Sequence, residues 1–406
     1  MKNNSILKSI LAIILSTGIV ILTCLSCNNS QSHSPKESEY YIAAYVWPSC
    51  HDEPKAREIW PQGIGEWEVI KKADTRYEGH YQPKVPLWGY EMDNDHKVVE
   101  KWIDAAVDHG VNVFIYDWYW YNGGPFLESA LNDGFLKARN NEKMYFYLMW
   151  ANHNMPMRTL NIHEFKDVEP IFWSAVVDWE NYTTIVEKVI REYFQKPNYL
   201  KIDGKPVFAI YRIEQLLESF GGCVDETRKG LDYFREEVKK AGFSGVHFQL
   251  IPSGVYWRRT VEMIRKDAEL IEALGFSSVT TYNMEGFSED YVAYGAQAVQ
   301  FWENWNEALN IPFFPCISVG WDDSPRFPHR TMKNTVHYNK SPESFATMLA
   351  KAKQFVDNKH PDRPKLITIF AWNEWVEGSY LLPDMKYGFG YLEAVKDVME
   401  GKYDRY

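Results

Sequence analysis

Cysteine is scarce in this chain, and its scarcity excludes two ways of building a fold. Only five occur in 406 residues. Beyond Cys27 there remain Cys50, Cys223 and Cys316, which cannot all pair within one chain and whose spacings match no zinc template. Cys316 falls in an apolar run and reads as a small core residue. Positive charge is also in deficit. The formal net charge is −11 with no basic patch, which argues against nucleic acid as a partner. A glycine-rich phosphate turn is missing too: Tyr45-Val46-Trp47-Pro48 stands where a dinucleotide-binding sheet would carry one. No internal repeat is evident.

What is present begins with an address. Lys2 and Lys8 precede a nearly apolar run from Ser9 to Leu25, and Cys27 follows Leu25-Ser26. This pattern predicts a secretory signal over residues 1–27 whose Cys27 accepts a lipid, as in bacterial lipoproteins. Cys24 is a poorer acceptor after Thr23. The run is also about long enough to span a bilayer, so an uncleaved anchor is the competing reading. Residues 28–39 are polar and read as a flexible tether. The expected product is an exported protein held at a lipid bilayer, periplasmic or at the cell surface. Residues 40–406 are ample for one large domain.

Eight strand-like runs punctuate that domain: Tyr40–Val46, Val111–Tyr116, Met144–Met149, Val207–Tyr211, Val246–Ile251, Ser278–Tyr282, Phe313–Val319 and Leu366–Trp372. Between most of them lie helical patterns, at Val98–His109, Tyr182–Phe194, Glu226–Ala241, Val261–Leu274, Tyr294–Leu309 and Pro342–Val356. Strands alternating with helices imply parallel βα units, and eight such units imply a (β/α)8 TIM barrel. An open doubly wound sheet is the alternative. The segment from Trp47 to Asp95 is too long for an ordinary loop and reads as an insertion covering the barrel mouth.

In a barrel of this kind the chemistry sits where strands end. The predicted second strand leads into Asp117-Trp118-Tyr119-Trp120, and the third into Trp150-Ala151-Asn152-His153. The fourth ends at Tyr211-Arg212 and the sixth at Tyr282-Asn283. The seventh leads into Trp321-Asp322-Asp323-Ser324-Pro325-Arg326. The last, wholly apolar, opens onto Asn373-Glu374-Trp375-Val376-Glu377-Gly378. Aromatics make up 16% of the chain, and many cluster at these ends, as a sugar-stacking site would require. A large aromatic core explains part of the excess. Each residue has a plainer role as well: Asp117 as a turn cap or arginine partner, the tryptophans as core, His153 as a satisfied hydrogen-bonding group, Asp322 and Arg326 as an ion pair. Glu374 and Glu377 are harder to explain structurally, because unpaired charge on an aromatic-rich rim is costly. Residues three apart on a turn share a face, and like charges so close raise one pKa. One carboxyl can then act as acid and its neighbour as base, the pairing that breaks glycosidic bonds. Their spacing alone fits both the retaining and the inverting geometry.

Taken together the motifs carry a resemblance. Gly65-Glu66-Trp67, Gly79-His80-Tyr81-Gln82-Pro83, Asp117-Trp118-Tyr119-Trp120, Trp150-Ala151-Asn152-His153, Pro197-Asn198-Tyr199-Leu200, Lys201-Ile202-Asp203-Gly204-Lys205-Pro206, Gly320-Trp321-Asp322 and Asn373-Glu374-Trp375-Val376-Glu377-Gly378 occur in order. The set resembles the glycoside hydrolase family 99-like group, which overlaps the WbsX-type glycosyltransferase family. The resemblance implies a (β/α)8 barrel and, by analogy with family 99, retaining cleavage of an α-mannoside. Glu374 would act as base on the sugar's own 2-hydroxyl, giving a 1,2-anhydro intermediate, and Glu377 as acid/base at the glycosidic oxygen.

The expectation is therefore a glycoside hydrolase acting on an oligo- or polysaccharide, with Glu374 and Glu377 catalytic. Trp118, Trp120, Trp150 and Trp321 would be stacking walls. Asp117, Asn152, His153, Asp322 and Arg326 would bind hydroxyls, and Tyr211, Tyr282, Asn373 and Trp375 would complete the sugar site. No metal or organic cofactor is implied. The rivals are a glycosyltransferase, for which Asp93-Asn94-Asp95 has the letters of a metal motif but reads better as a helix cap, and a non-catalytic glycan-binding lipoprotein.

Overall fold

The computed structural model describes residues 38–155, 160–165, 173–252, 261–284, 286, 288–327, 336–361 and 364–403. The signal, Cys27 and all but the last two tether residues lie outside them. Residues Ser34–Tyr406 form one compact unit, to which all of these belong.

Eight strands carry the architecture: β1 (Tyr40–Val46), β2 (Val113–Tyr121), β3 (Tyr145–Trp150), β4 (Lys205–Ile210), β5 (His247–Leu250), β6 (Ser278–Val279), β7 (Cys316–Ser318) and β8 (Lys365–Phe370). Neighbours run in the order β6-β5-β4-β3-β2-β1-β8-β7, every pair parallel. The ends meet through a parallel bridge between Val279 and Phe313, where Val279 N–H donates to Pro312 O at 2.9 Å and Phe314 N–H to Val279 O at 2.8 Å. The sheet is thus a closed ring, a (β/α)8 barrel. An all-parallel sheet is covered on both faces, which is why its strands read as unbroken apolar runs.

The interior is a packed layer. Tyr147 Oη donates to Gln249 Oε1 at 3.0 Å, Tyr45 Oη reaches Thr281 O at 2.9 Å, and the hydroxyls of Thr280 and Thr368 lie 3.0 Å apart. Each contact skips at least one strand, so these side chains fill the barrel as alternate-strand layers do.

Helices α1 (His96–Asp108), α2 (Trp179–Val189), α3 (Val224–Lys240), α4 (Val261–Leu274), α5 (Tyr291–Ala308), α6 (Pro342–Lys359) and α7 (Gly390–Met399) surround the ring. Four of them start at side-chain caps: Asp95 on Lys97 N, Asp178 on Asn181 N, Asp290 on Val292 N, and a Ser341/Ser344 capping box. Asp95 is therefore a cap, as its position predicts. On α3 the buried residues Leu231, Phe234 and Val238 recur at helical spacing. Phe234 meets Phe208 and Phe248 edge-on, at 5.2 and 5.3 Å. Truncating such a ring costs about 3–5 kcal/mol. Helix α7 was not anticipated from the sequence. Among the described residues no helix is long and apolar enough to cross a membrane.

Two features shape the mouth. Strand β2 runs five residues beyond its predicted end, to Tyr121, and folds back as a hairpin onto Gly124–Phe126. The insertion between β1 and α1 is sewn to the loop after β8: Leu87 N–H donates to Pro383 O, Met385 N–H to Val85 O, and the rings of Trp67 and Trp375 are 6.1 Å apart.

Candidate active site

Strand alternation decides what reaches the mouth. Along β2 successive side chains face opposite ways. Asp117 and Tyr119 face the axis and line a cavity of about 190 Å³ with Trp47, Met149, His153, Tyr211, Arg212, Tyr282, Arg326, Glu374 and Glu377. Trp118 and Trp120 take the opposite phase. Their indole N–H groups donate to Glu128 Oε1 (2.8 Å) and to Asn181 Oδ1 (3.1 Å), toward the helices. Trp150 follows Met149 on β3 and packs on Tyr182 of α2. These three tryptophans, expected as sugar platforms, are core between barrel and helices. The pocket's aromatic walls are Trp47, Tyr119, Tyr211 and Tyr282.

The two glutamates stand on a short built turn. Asn373–Glu374 pairs with Ser379–Tyr380, and Trp375–Glu377 forms a single 3₁₀ turn between them. Gly378 closes it at φ +66°, and a Cβ there would lie 2.6 Å from Asp322 Cβ. Only glycine fits this left-handed, crowded position. Asn373 and Trp375 hold the turn rather than a sugar. Asn373 Nδ2 donates to Trp47 O at 2.8 Å while its Oδ1 accepts from Trp47 N at 2.9 Å. Trp375 is buried, with its ring stacked on Tyr380 at 3.9 Å. Both expectations of sugar contact are thus corrected, because each side chain is consumed by a neighbouring element.

Arg326 organises the charge. Its guanidinium donates to Glu377 Oε1 (2.5 Å), Glu374 Oε1 (3.2 Å) and Glu66 Oε1 (3.1 Å), and lies 5.8 Å from the Trp47 ring. Glu66, in the Gly65-Glu66-Trp67 motif, is fully buried and also accepts from Trp47 Nε1 (2.5 Å) and Ser49 Oγ (3.1 Å). Nothing local in the sequence points to it, since Arg326 lies 260 positions away. Burial raises Glu374 well above the carboxylate range, reinforced by Glu377, against the opposing pull of Arg326. Burial likewise lifts Glu377 to about 7, with Arg326 again opposing. Carboxyls crowd together here with few cations, which favours their protonated forms.

Asp117 is a third carboxyl at the pocket. It accepts from Tyr282 Oη at 2.7 Å, and burial pushes it well above the usual range. Its Oδ1 is buried and has no partner among the described residues. His153 sits edge-on to Tyr119 and Tyr211 and donates through Nδ1 to Asn154 O at 3.0 Å. Burial, with the guanidiniums of Arg212 and Arg326, lowers it to about 4, so it is neutral and leaves Nε2 as an acceptor.

The remaining expected residues lie off this pocket. Asn152 exchanges both amide bonds with the Arg212 backbone and ties the ends of β3 and β4 together. Trp321 is half-buried, stacked on Phe370 at 6.1 Å. Asp322 does not pair with Arg326. Its Oδ2 accepts from Lys84 Nζ (2.6 Å), Gln82 Nε2 (2.9 Å) and His80 Nε2 (3.1 Å), which pins the insertion to the loop after β7. Asp93 is buried against His51 Nδ1 and Cys50 N–H.

The closed barrel is a fold that known glycoside hydrolase structures share. The chain is similar to the GH99 endo-alpha-mannosidase of Bacteroides thetaiotaomicron, at 14% identity and a TM-score of 0.53, covering 90% of this chain and 98% of that one. It is similar to a protein described as glycoside hydrolase-like at 14% identity and TM-score 0.58, over 89% and 94% of the two chains. The chain belongs to the family described as Glycosyltransferase WbsX, which matches residues 42–395. A curated relative, the uncharacterized protein WxcX of Xanthomonas campestris pv. campestris, is 23% identical over 378 residues, 88% of this chain and 49% of the relative. This chain thus spans about half the length of that relative.

Proposed function

We propose that the protein is a glycoside hydrolase in which Glu377 is the acid/base and Glu374 the base. The observation that carries this reading is a single guanidinium, Arg326, bonded to both carboxyls inside one cavity of about 190 Å³.

The steps follow the family 99 resemblance. Glu374 removes the proton of the sugar's 2-hydroxyl, and that oxygen bonds to C1 as the C1–O bond to the leaving group breaks. Glu377 delivers its proton to the departing oxygen. Water then opens the three-membered ring at C1, losing its proton to Glu377, and Glu374 returns its proton to O2. Two displacements at C1 retain its configuration, and an α-mannoside is the substrate to try first. Asp117 Oδ1 and His153 Nε2 offer hydrogen bonds to ring hydroxyls. The deeper burial of Glu374 raises it further than Glu377, the reverse of what a base beside an acid needs. The role assignment therefore rests on the resemblance, not on ionisation.

The test uses the purified protein on a polysaccharide panel, with products read by mass spectrometry, and then two variants. Glu377→Gln should lose unactivated substrates yet retain an aryl glycoside with a good leaving group, which needs no proton. Glu374→Gln should lose both. Full activity of Glu377→Gln on an unactivated glycan would refute the assignment. The family's description supplies the rival activity, sugar transfer from a nucleotide donor. Turnover of sugar nucleotides with manganese, and none of glycans, would favour it. We further propose that the protein is exported and anchored through Cys27, on the strength of residues 1–27.

A further inference from the structure

A second cavity, of about 230 Å³, opens on the other side of the turn that carries the glutamates: Gly378 lines it, whereas Glu377 lines the first. Three lysines converge on it. Lys84 arrives from the insertion, Lys340 from the segment before α6, and Lys386 from the loop after β8. The nearby carboxylates are already engaged. Asp322 accepts from Lys84, Gln82 and His80, and Asp384 accepts from Tyr380 Oη (2.8 Å) and from the backbone of Lys386 and Tyr387. Among the described residues, neither Lys340 nor Lys386 has a carboxylate within ion-pair distance.

Lys340 is built into place. Among the described residues its Nζ reaches two carbonyls, Trp321 O at 3.3 Å and Gly378 O at 3.5 Å, which leaves one of its three ammonium donors uncommitted to them. Its stem crosses Gly320, where a Cβ would lie 2.5 Å from Lys340 Cδ. Any larger residue there would evict it. Burial, with Lys84 alongside, pulls Lys340 down to about 7, so a bound anion would restore a charge the site now suppresses. The rim is aromatic: Tyr77 lies flat on His80 at 4.5 Å, and Tyr77 and Tyr338 are 41% and 54% exposed.

Two lysines with no carboxylate partner among the described residues, beside the Lys84–Asp322 pair and beneath exposed aromatic faces, match one ligand chemistry, a sugar ring that carries an anionic group. We propose that this cavity is a second carbohydrate subsite, distinct from the Glu374/Glu377 pocket, which takes an acidic sugar by its carboxylate or sulfate. Binding itself does not depend on the hydrolase reading. If both hold, the substrate is an acidic glycan.

The test is calorimetric binding to the full chain of glucose, glucuronate, glucose 6-sulfate and inorganic sulfate. At least one acidic sugar should bind, and the neutral sugar should bind about 10–100-fold more weakly, as loss of a charge-assisted hydrogen bond implies. Which acidic sugar binds more tightly identifies the anionic group. Lys340→Met should lose the same factor while Glu377→Gln loses none, whether or not Glu377→Gln abolishes hydrolysis. Lys386, being exposed, supplies Lys386→Met as a second variant should Lys340→Met fold poorly, with a smaller loss expected. Equal binding of glucose, unchanged binding in both lysine variants, or loss of binding in Glu377→Gln would overturn the proposal. Inorganic sulfate binding as tightly as the sugar sulfate would also overturn it, by removing the sugar.

Discussion

Replacing Asp322 with Asn tests whether this residue is an anchor or a sugar ligand. Asp322 is buried, 2% exposed, and its Oδ2 meets Lys84 Nζ at 2.6 Å, with Lys84 itself 2% exposed. Burial favours the neutral acid, but Lys84 and His80 outweigh it and hold Asp322 well below the usual range. Asparagine keeps the shape and removes the charge, so Lys84 is left buried and unpaired. Breaking one side of such a pair costs about 3–5 kcal/mol. There is a ceiling, because Lys84 can give up its proton instead. From a reference pKa near 10.4 that costs about 4.6 kcal/mol at pH 7. For a domain of this size the unfolding entropy makes the loss a drop in Tm of about 4–6 °C.

The pH dependence separates causes. A depressed carboxylate contributes stability above its unfolded pKa and loses it only as pH falls through the folded value, so Asp322 stays ionised from neutral pH upward. In the variant, folded Lys84 binds fewer protons than unfolded Lys84, so stability rises with pH. The deficit should shrink by about 1.4 kcal/mol per unit between about pH 7 and 9. Thermal denaturation of wild type, Asp322→Asn and Asp322→Asn/Lys84→Met across that range measures it, and the double variant should recover part of the loss. A drop under about 1 °C, or a deficit indifferent to both pH and Lys84, would refute the reasoning.

If Glu377 is the acid, kcat/KM should decline as pH rises through about 7, because the proton needed at the leaving oxygen is lost. Arg326→Met removes the cation that opposes burial, so that limb should move up by about 1–3 units; an unmoved limb in the pH–rate profile would detach Arg326 from the pair. Gly378→Ala forces a Cβ against Asp322 at a left-handed position, and a stability loss of about 1–3 kcal/mol with reduced turnover should follow, read by denaturation and assay together. For the proposed anchor, Cys27→Ser should move the protein from the detergent phase to the aqueous phase on partition, and mass spectrometry of the wild type should find lipid on Cys27.

Much of the barrel was legible because periodicity is a local property. The eight runs, the helices between them and the cap at Asp95 follow from side-chain size, branching and charge within a few residues of each other. The strand ends told where chemistry collects, and Asp117, His153, Tyr211, Tyr282, Arg326, Glu374 and Glu377 do meet in one pocket. Trp118, Trp120 and Trp150 were misread for a physical reason. A strand apolar on both faces carries no mark of which phase points to the axis, and closure of the ring sets that phase.

Sequence alone determined the alternation of elements and the placing of two acids at the end of an apolar strand. Burial, partnership and protonation were decided by the tertiary structure. Glu66 and Arg326 are brought together across 260 positions, and Asp322 and Lys84 across 238. Both pairings depend on how a long insertion folds over the mouth. Electrostatic energy depends on distance and solvent access, and neither exists until the chain has closed on itself.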